Sequence, residues 1–220
     1  MHSRIGSRSG TSHLHHFNIF TNLDIETTLD SYFIMDFFDI LKKHYGISED
    51  GIAISRRYFY EELLPAGDFF VKAGEISNKL SIILKGLFRS WLIDDSGEEV
   101  TTAFHEPQTL LFCPESFYTH TPAKENIEAL EYAELLSVPS DDIKDLYQKV
   151  PVWTRIIMDL SETSNNSLGQ RNMPFQNLEA KERYKWFCKK HPHISEKAKP
   201  DQIASYLKID PAHILPQPSK

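Results

Sequence analysis

The chain has 220 residues, of which 40% are apolar and 25% charged. That is the make-up of a globular protein long enough for one generous domain or two modest ones, and it excludes a disordered or collagen-like chain. No apolar run approaches the roughly 18 residues a membrane-spanning helix needs. The two cysteines, Cys113 and Cys188, are too few for a disulfide scaffold, a four-thiolate zinc site or an all-cysteine iron–sulfur cluster. A reducing cytoplasm fits this usage. The net charge of −7 is unevenly spread: residues 181–220 carry nine Lys/Arg against four Asp/Glu, while residues 35–180 carry 13 against 24. An acidic body with a basic C-terminal piece suggests two modules with different partners.

Residues 1–34 are rich in Ser, Thr, Gly and His without clear periodicity and read as a disordered extension. They lack the basic start, apolar core and cleavage site of a signal peptide. The cluster His13, His15, His16 has no Cys/His partner set at zinc spacing. Met35 opens an amphipathic segment in which Phe37, Phe38, Leu41 and Tyr45 recur at helical spacing. From about Leu63 to Pro139 the texture becomes short strands punctuated by glycine: 69–73, 80–84, 87–93, 100–104, 127–130 and 135–138. Asp94-Asp95-Ser96-Gly97 is a hairpin turn in which Gly97 supplies positive φ. Strands this short and this closely spaced predict a β-sandwich or jelly roll, not a βαβ sheet.

After Pro139 the strands give way to helices. Ser140, followed by Asp141 and Asp142, reads as the N-cap of a short helix over 143–150. Beyond Pro151, Trp153, Ile156, Ile157, Leu160, Ser164, Ser167 and Leu168 form one stripe on a helix of five or six turns. Such a stripe either packs on its own domain or pairs with a second copy. Its length and heptad-like spacing favour a dimer seam, with small Ser164 and Ser167 allowing close approach. Further helices are expected over 178–191 and 200–207, with a very short one starting at Pro211.

Residues 202–214 have the grammar of a helix-turn-helix. Ala204 is small where a second helix crosses, Leu207 and Ile209 anchor the turn, Asp210 caps the next helix, and Pro211 takes its first position. A basic helix bearing Lys181, Arg183, Lys185, Lys189 and Lys190 precedes it, as a nucleic-acid-binding module requires. An ordinary αα-corner is the plainer reading of the same residues.

At these residues the chain resembles a known family. The run from Leu63 to Glu99, with Gly67, Gly74, Gly86 and Gly97, is similar to the consecutive strands of a cyclic-nucleotide-binding domain. The order roll, long helix, helix-turn-helix resembles the Crp/Fnr transcriptional regulators, particularly divergent Bacteroidetes-type forms, over about residues 36–214. The resemblance implies an α+β fold in four parts: the extension 1–34, a β-roll or jelly-roll domain 35–150, a dimerisation helix 151–173, and a truncated winged-helix-like module 174–220. It implies a homodimer, a small-molecule effector of unknown identity, and DNA as partner; from the cysteine count and the lack of a long apolar run, neither a cofactor nor a membrane is expected. Its ligand pocket would be lined by Phe112, Glu115, Ser116, Lys124 and Asn126, and its DNA contacts would come from Gln202, Ser205, Lys208 and His213.

Two departures modify that picture. Members that bind cyclic AMP carry a Gly-Glu pair and, about ten residues on, an Arg followed by Ser or Thr. Here no Gly precedes Glu115, and the arginine position falls at Ala123 or Lys124. A lysine offers a point charge without the guanidinium fork that suits a phosphate, so no tight cyclic-nucleotide binding is expected. After Ile214 the chain reads Leu-Pro-Gln-Pro, and the prolines prevent a long recognition helix. DNA binding is therefore expected to be weakened, resting more on phosphate attraction than on base readout. A degenerate sensor or interaction dimer is the alternative. A metal-dependent cupin enzyme is disfavoured, because His105 and His120 stand apart where a His-x-His pair is needed.

Overall fold

The computed structural model describes residues 32–169 and 178–214, with side chains over 37–161 and 178–214. Most of the expected N-terminal extension and the tail beyond Ile214 lie outside them. Two helices, α1 (Tyr32–Tyr45) and α2 (Glu49–Ser55), precede eight strands: β1 (Tyr60–Leu64), β2 (Phe69–Val71), β3 (Lys79–Lys85), β4 (Phe88–Ile93), β5 (Glu99–His105), β6 (Leu110–Leu111), β7 (Asn126–Ala129) and β8 (Ala133–Pro139). Helix α3 (Pro114–Thr119) interrupts the strands, and α4 (Ser140–Lys149), α5 (Val152–Gly169), α6 (Ala180–Lys190), α7 (Pro192–Lys197) and α8 (Pro200–Leu207) follow them. A single 3-10 turn, Pro211–His213, ends the described chain.

The strands form two antiparallel four-stranded sheets, β1-β8-β3-β6 and β2-β7-β4-β5. Strand alternation sorts their side chains into layers. Leu64, Ile83, Leu111, Ala133 and Leu135 of the first sheet meet Phe70, Val71, Phe88, Ile127 and Ala129 of the second, filling the roll. The other face of the first sheet (Leu80, Ile82, Leu110, Leu136, Val138) packs under α1, α2, α4 and α5. The other face of the second sheet meets the C-terminal helices through Leu87, Phe104 and Leu130. Because β3 and β8 are covered on both faces, their apolar runs are continuous rather than alternating.

Two glycines hold the strand connections. Gly86 has φ +98°, and a Cβ there would come within 2.6 Å of the Ala133 Cβ. Gly97 closes the β4–β5 hairpin at φ +84°, where Asp94 accepts from the Ser96 and Glu98 amides. Those hydrogen bonds, that from the Ser96 hydroxyl foremost, hold the Asp94 carboxyl below its usual range.

Several boundaries differ from the sequence reading. Strand β1 begins at Tyr60, where Glu61 and Glu62 obscure the apolar pattern. Pro139, not Ser140, is the N-cap of α4, and Ser140 is its first helical residue.

The larger correction concerns the α5 stripe. Trp153, Ile156 and Leu160 are buried in this chain's own helical core. The Trp153 ring lies 4.6 Å from Phe59, and its indole N–H donates to Ser55 Oγ at 2.8 Å. Side chains closed in this way face no partner, and amphipathic spacing alone does not say which core a stripe meets. Ile157 sits half-buried at the margin of the same core, while Met158 is 65% exposed on the opposite side. Ser164, Ser167 and Leu168 lie outside the residues whose side chains are described.

Candidate functional site

The ligand cassette of the resemblance spans β6, α3 and the loop into β7. Leu111 points into the roll, so its neighbour Phe112 points out, packing edge-on against Phe117 and Tyr118 at the helical layer. Phe112 is thus not a wall of the roll interior. Helix α3 starts at Pro114 and is fastened to the approach of β3, where the Ser77 amide donates to Ser116 Oγ at 2.9 Å and the Cys113 amide donates to Ser77 Oγ at 3.3 Å. Burial pushes the Cys113 thiol up, away from thiolate reactivity.

The loop before β7 is stitched to the turn at 73–75. Gly74 donates to the Ala123 carbonyl, Ala123 donates to that of Glu75, and the Ala73 amide donates to Asn126 Oδ1 at 3.0 Å. Ser116 and Asn126 are therefore engaged by backbone amides. Glu115 and Lys124 do come together, at 2.6 Å, but on the surface, where their side chains are 57% and 74% exposed. Ala123 is the residue of that loop that enters the interior.

Lys124 is the only lysine or arginine between 110 and 126, and it faces outward. Lys79, whose ammonium stands 4.6 Å from the interior Phe70 ring, is already paired with Glu62. Register sets Ser90 beside Ile127 and His105 beside Phe88, and Ser90 Oγ lies 2.8 Å from His105 Nε2. Burial lowers the His105 pKa to about 4. A cyclic phosphate in this interior would lack a cation from the cassette, a costly arrangement for a buried charge. Among the described residues, the cassette sends no lysine or arginine inward. Nor do His105 and His120 converge as cupin ligands: His120 is exposed, ending α3 at φ +54°.

The second candidate site is the C-terminal module. Phe187, Ile194, Ala198, Ile203, Tyr206, Leu207 and Ile209 form its core, which closes over Leu87, Phe104 and Leu130 of the roll. Phe104 stands 5.3 Å from Tyr206, ring to ring. Helix α8 stops at Lys208 in the left-handed region, φ +55°, and the amides of Lys208 and Ile209 donate back to Ser205 and Ala204. Asp210 caps the following turn by accepting from Ala212. The helix-turn of the sequence reading is present, but among the described residues only one 3-10 turn follows it.

Of the expected DNA contacts, Lys208 and His213 are exposed. Gln202 accepts from the Lys199 amide at 2.9 Å, and Ser205 Oγ accepts from the Thr101 amide of β5 at 2.9 Å. Ser205 is thus turned toward the roll, not outward.

Sequence reasoning passed over Arg89. This side chain, in the residue 2% exposed, donates to Thr101 Oγ1 at 2.9 Å, Glu128 at 3.1 Å and Glu99 at 2.5 Å. A lone arginine amid the apolar run Leu87–Ile93 was the available signal, since an arginine in a buried strand needs acidic partners.

Residues 61–150 match the cyclic nucleotide-binding domain family. Among curated proteins, the anaerobic regulatory protein of Haemophilus influenzae is 30% identical over 112 residues, covering 51% of this chain and 43% of that protein. The chain thus spans less than half the length of this relative. Among solved structures, FixK2 of Bradyrhizobium japonicum matches with a TM-score of 0.55 and 14% identity over 70% of this chain and 79% of the other. CLP of Xanthomonas campestris, described as a c-di-GMP responsive global regulator, matches with a TM-score of 0.56 and 11% identity over 76% and 87%. At these identities the structural likeness speaks for the fold. The family match thus covers the roll, and the likeness of fold to FixK2 and CLP extends over more of the chain.

Proposed function

We propose that the chain is a cytoplasmic, non-enzymatic transcriptional regulator whose roll has given up cyclic-nucleotide binding and whose C-terminal module attracts DNA chiefly through phosphates. The observation that carries this reading is the helix-turn over residues 200–214, preceded by a basic helix and joined to a roll whose cassette presents no inward cation. Among the described residues, Lys181, Lys185 and Lys189 of α6 have no acidic partner, and they recur at i, i+4 on one exposed row. Such a row suits a phosphate backbone. Base reading is poorly supported, because Gln202 and Ser205 are engaged within the chain. A homodimer through the outer side of α5, where Met158 is exposed, belongs to the same proposal; the buried side of that helix is occupied.

The test is duplex binding by the full chain across a salt series, with two unrelated 20-base-pair sequences. The reading expects affinity that falls steeply with salt and differs less than about threefold between sequences. Absence of binding at low salt would overturn it, and a strong preference for one sequence would restore a base-reading module.

A further inference from the structure

Two sets of carboxylates lie on and beside the outer face of the β2-β7-β4-β5 sheet, with different partners: Glu99 and Glu128 on its strands, Glu106 just after β5 and Glu131 in the turn after β7. Glu99 and Glu128 are held by the buried Arg89. Glu106 and Glu131 reach instead to the C-terminal module. His191 Nδ1 lies 3.1 Å from Glu106, His193 Nε2 lies 2.6 Å from Glu131, and Lys197 Nζ lies 3.4 Å from Glu131. The histidine contacts are hydrogen bonds in either protonation state and ion pairs when protonated. The Thr101 amide of β5 adds its bond to Ser205 of α8. These partners lie 62 to 104 positions apart in the chain, so only the fold brings them together.

Three features make this seam separable. The roll contributes only Leu87, Phe104 and Leu130 to its apolar part, and interfaces between domains of this mixed character open more readily than cores. The contacts at Glu106, Glu131, His193 and Lys197 are between 23% and 37% exposed, so salt screens them. The module also brings the Lys197 ammonium and two imidazoles to two carboxylates of the roll, groups that a polyanion could equally engage.

We propose that this edge of the roll is an internal competitor for nucleic acid: Glu106 and Glu131 hold the module's His191, His193 and Lys197 as phosphates would, and the seated module keeps Ser205 of α8 on β5. The proposal rests on the DNA-binding reading above. Tethering makes the internal site equivalent to a millimolar competitor in order of magnitude, and loosening it would free the module for duplex.

The test uses the full chain carrying Glu106→Gln and Glu131→Gln together, with His193→Asn as a second variant acting from the other side of the seam. Hydrogen exchange of the β5 segment containing Thr101 and binding to a 20-base-pair duplex are measured at low and high salt. At low salt the double variant is expected to exchange β5 at least fivefold faster than the parent and to bind duplex about three- to tenfold more tightly. Raising salt should bring the parent's β5 exchange up to the variant's. Unchanged β5 exchange in both variants would overturn the internal clamp. Faster exchange with duplex affinity unchanged would overturn the competition. Faster exchange with no duplex bound by any of the proteins would leave the clamp standing and overturn the DNA-binding reading instead.

Discussion

The two faces of β4 give opposite answers to the same problem, a polar group inside a protein. On the inward face, Phe88 and Ser90 look into the roll, and the polar contact made there is a neutral pair, Ser90 with His105. On the outward face, Arg89 is as deeply covered, yet it is charged and ringed by Thr101, Glu99 and Glu128. One residue of register separates them, because successive side chains of a strand point to opposite faces. A cation placed inward would equip the roll for an anionic ligand. Placed outward, it braces the sheet on which the C-terminal module rests.

That contrast can be broken from either side. The largest effect is expected from Arg89→Met, which leaves Glu99 and Glu128 facing each other beneath the module. Loss of one partner of a buried pair costs about 3–5 kcal/mol, and the half-exposed Glu99 places this case at the low end. A fall in Tm of roughly 6–12 °C at neutral pH is expected. A Tm within 2 °C of the parent would mean that the arginine network contributes little.

On the inward face, His105 makes stability depend on pH. The unfolded chain takes up its proton near pH 6.5, whereas the folded chain resists until about pH 4. Between those values the unfolded state binds more protons, so stability falls as pH drops through the window. The loss attributable to His105 is at most about 3 kcal/mol, less to the extent that water reaches the residue, which is only partly covered. His105→Gln should remove that part of the slope. Parent and variant with equal slopes between pH 6.5 and 4 would contradict a buried neutral imidazole.

Much of this fold was legible in the sequence. Glycine-punctuated strands, the Asp94–Gly97 turn, the long helix and the Asp210-Pro211 cap all follow local rules. What was not legible depends on register and on distant pairing. The sequence shows that Phe112 is apolar, but only the pairing of β6 with β3 sends Leu111 inward and Phe112 outward. Trp153, Ile156 and Leu160 make the same stripe whether they meet a partner or their own Phe59. Two-residue β6 and six-residue α3 and α7 are too short to leave a period. The contacts from Glu106 to His191 and from Glu131 to His193 leave no local trace at all.

The central claim is that the cassette of this cyclic nucleotide-binding domain sends no cation inward to meet a phosphate, with Ala123 inside and Lys124 paired outside with Glu115. Thermal unfolding of the full chain with and without millimolar cyclic AMP tests it most directly. The account predicts a Tm unchanged within 1 °C. A rise of several degrees, as specific binding to the folded state would produce, would contradict it.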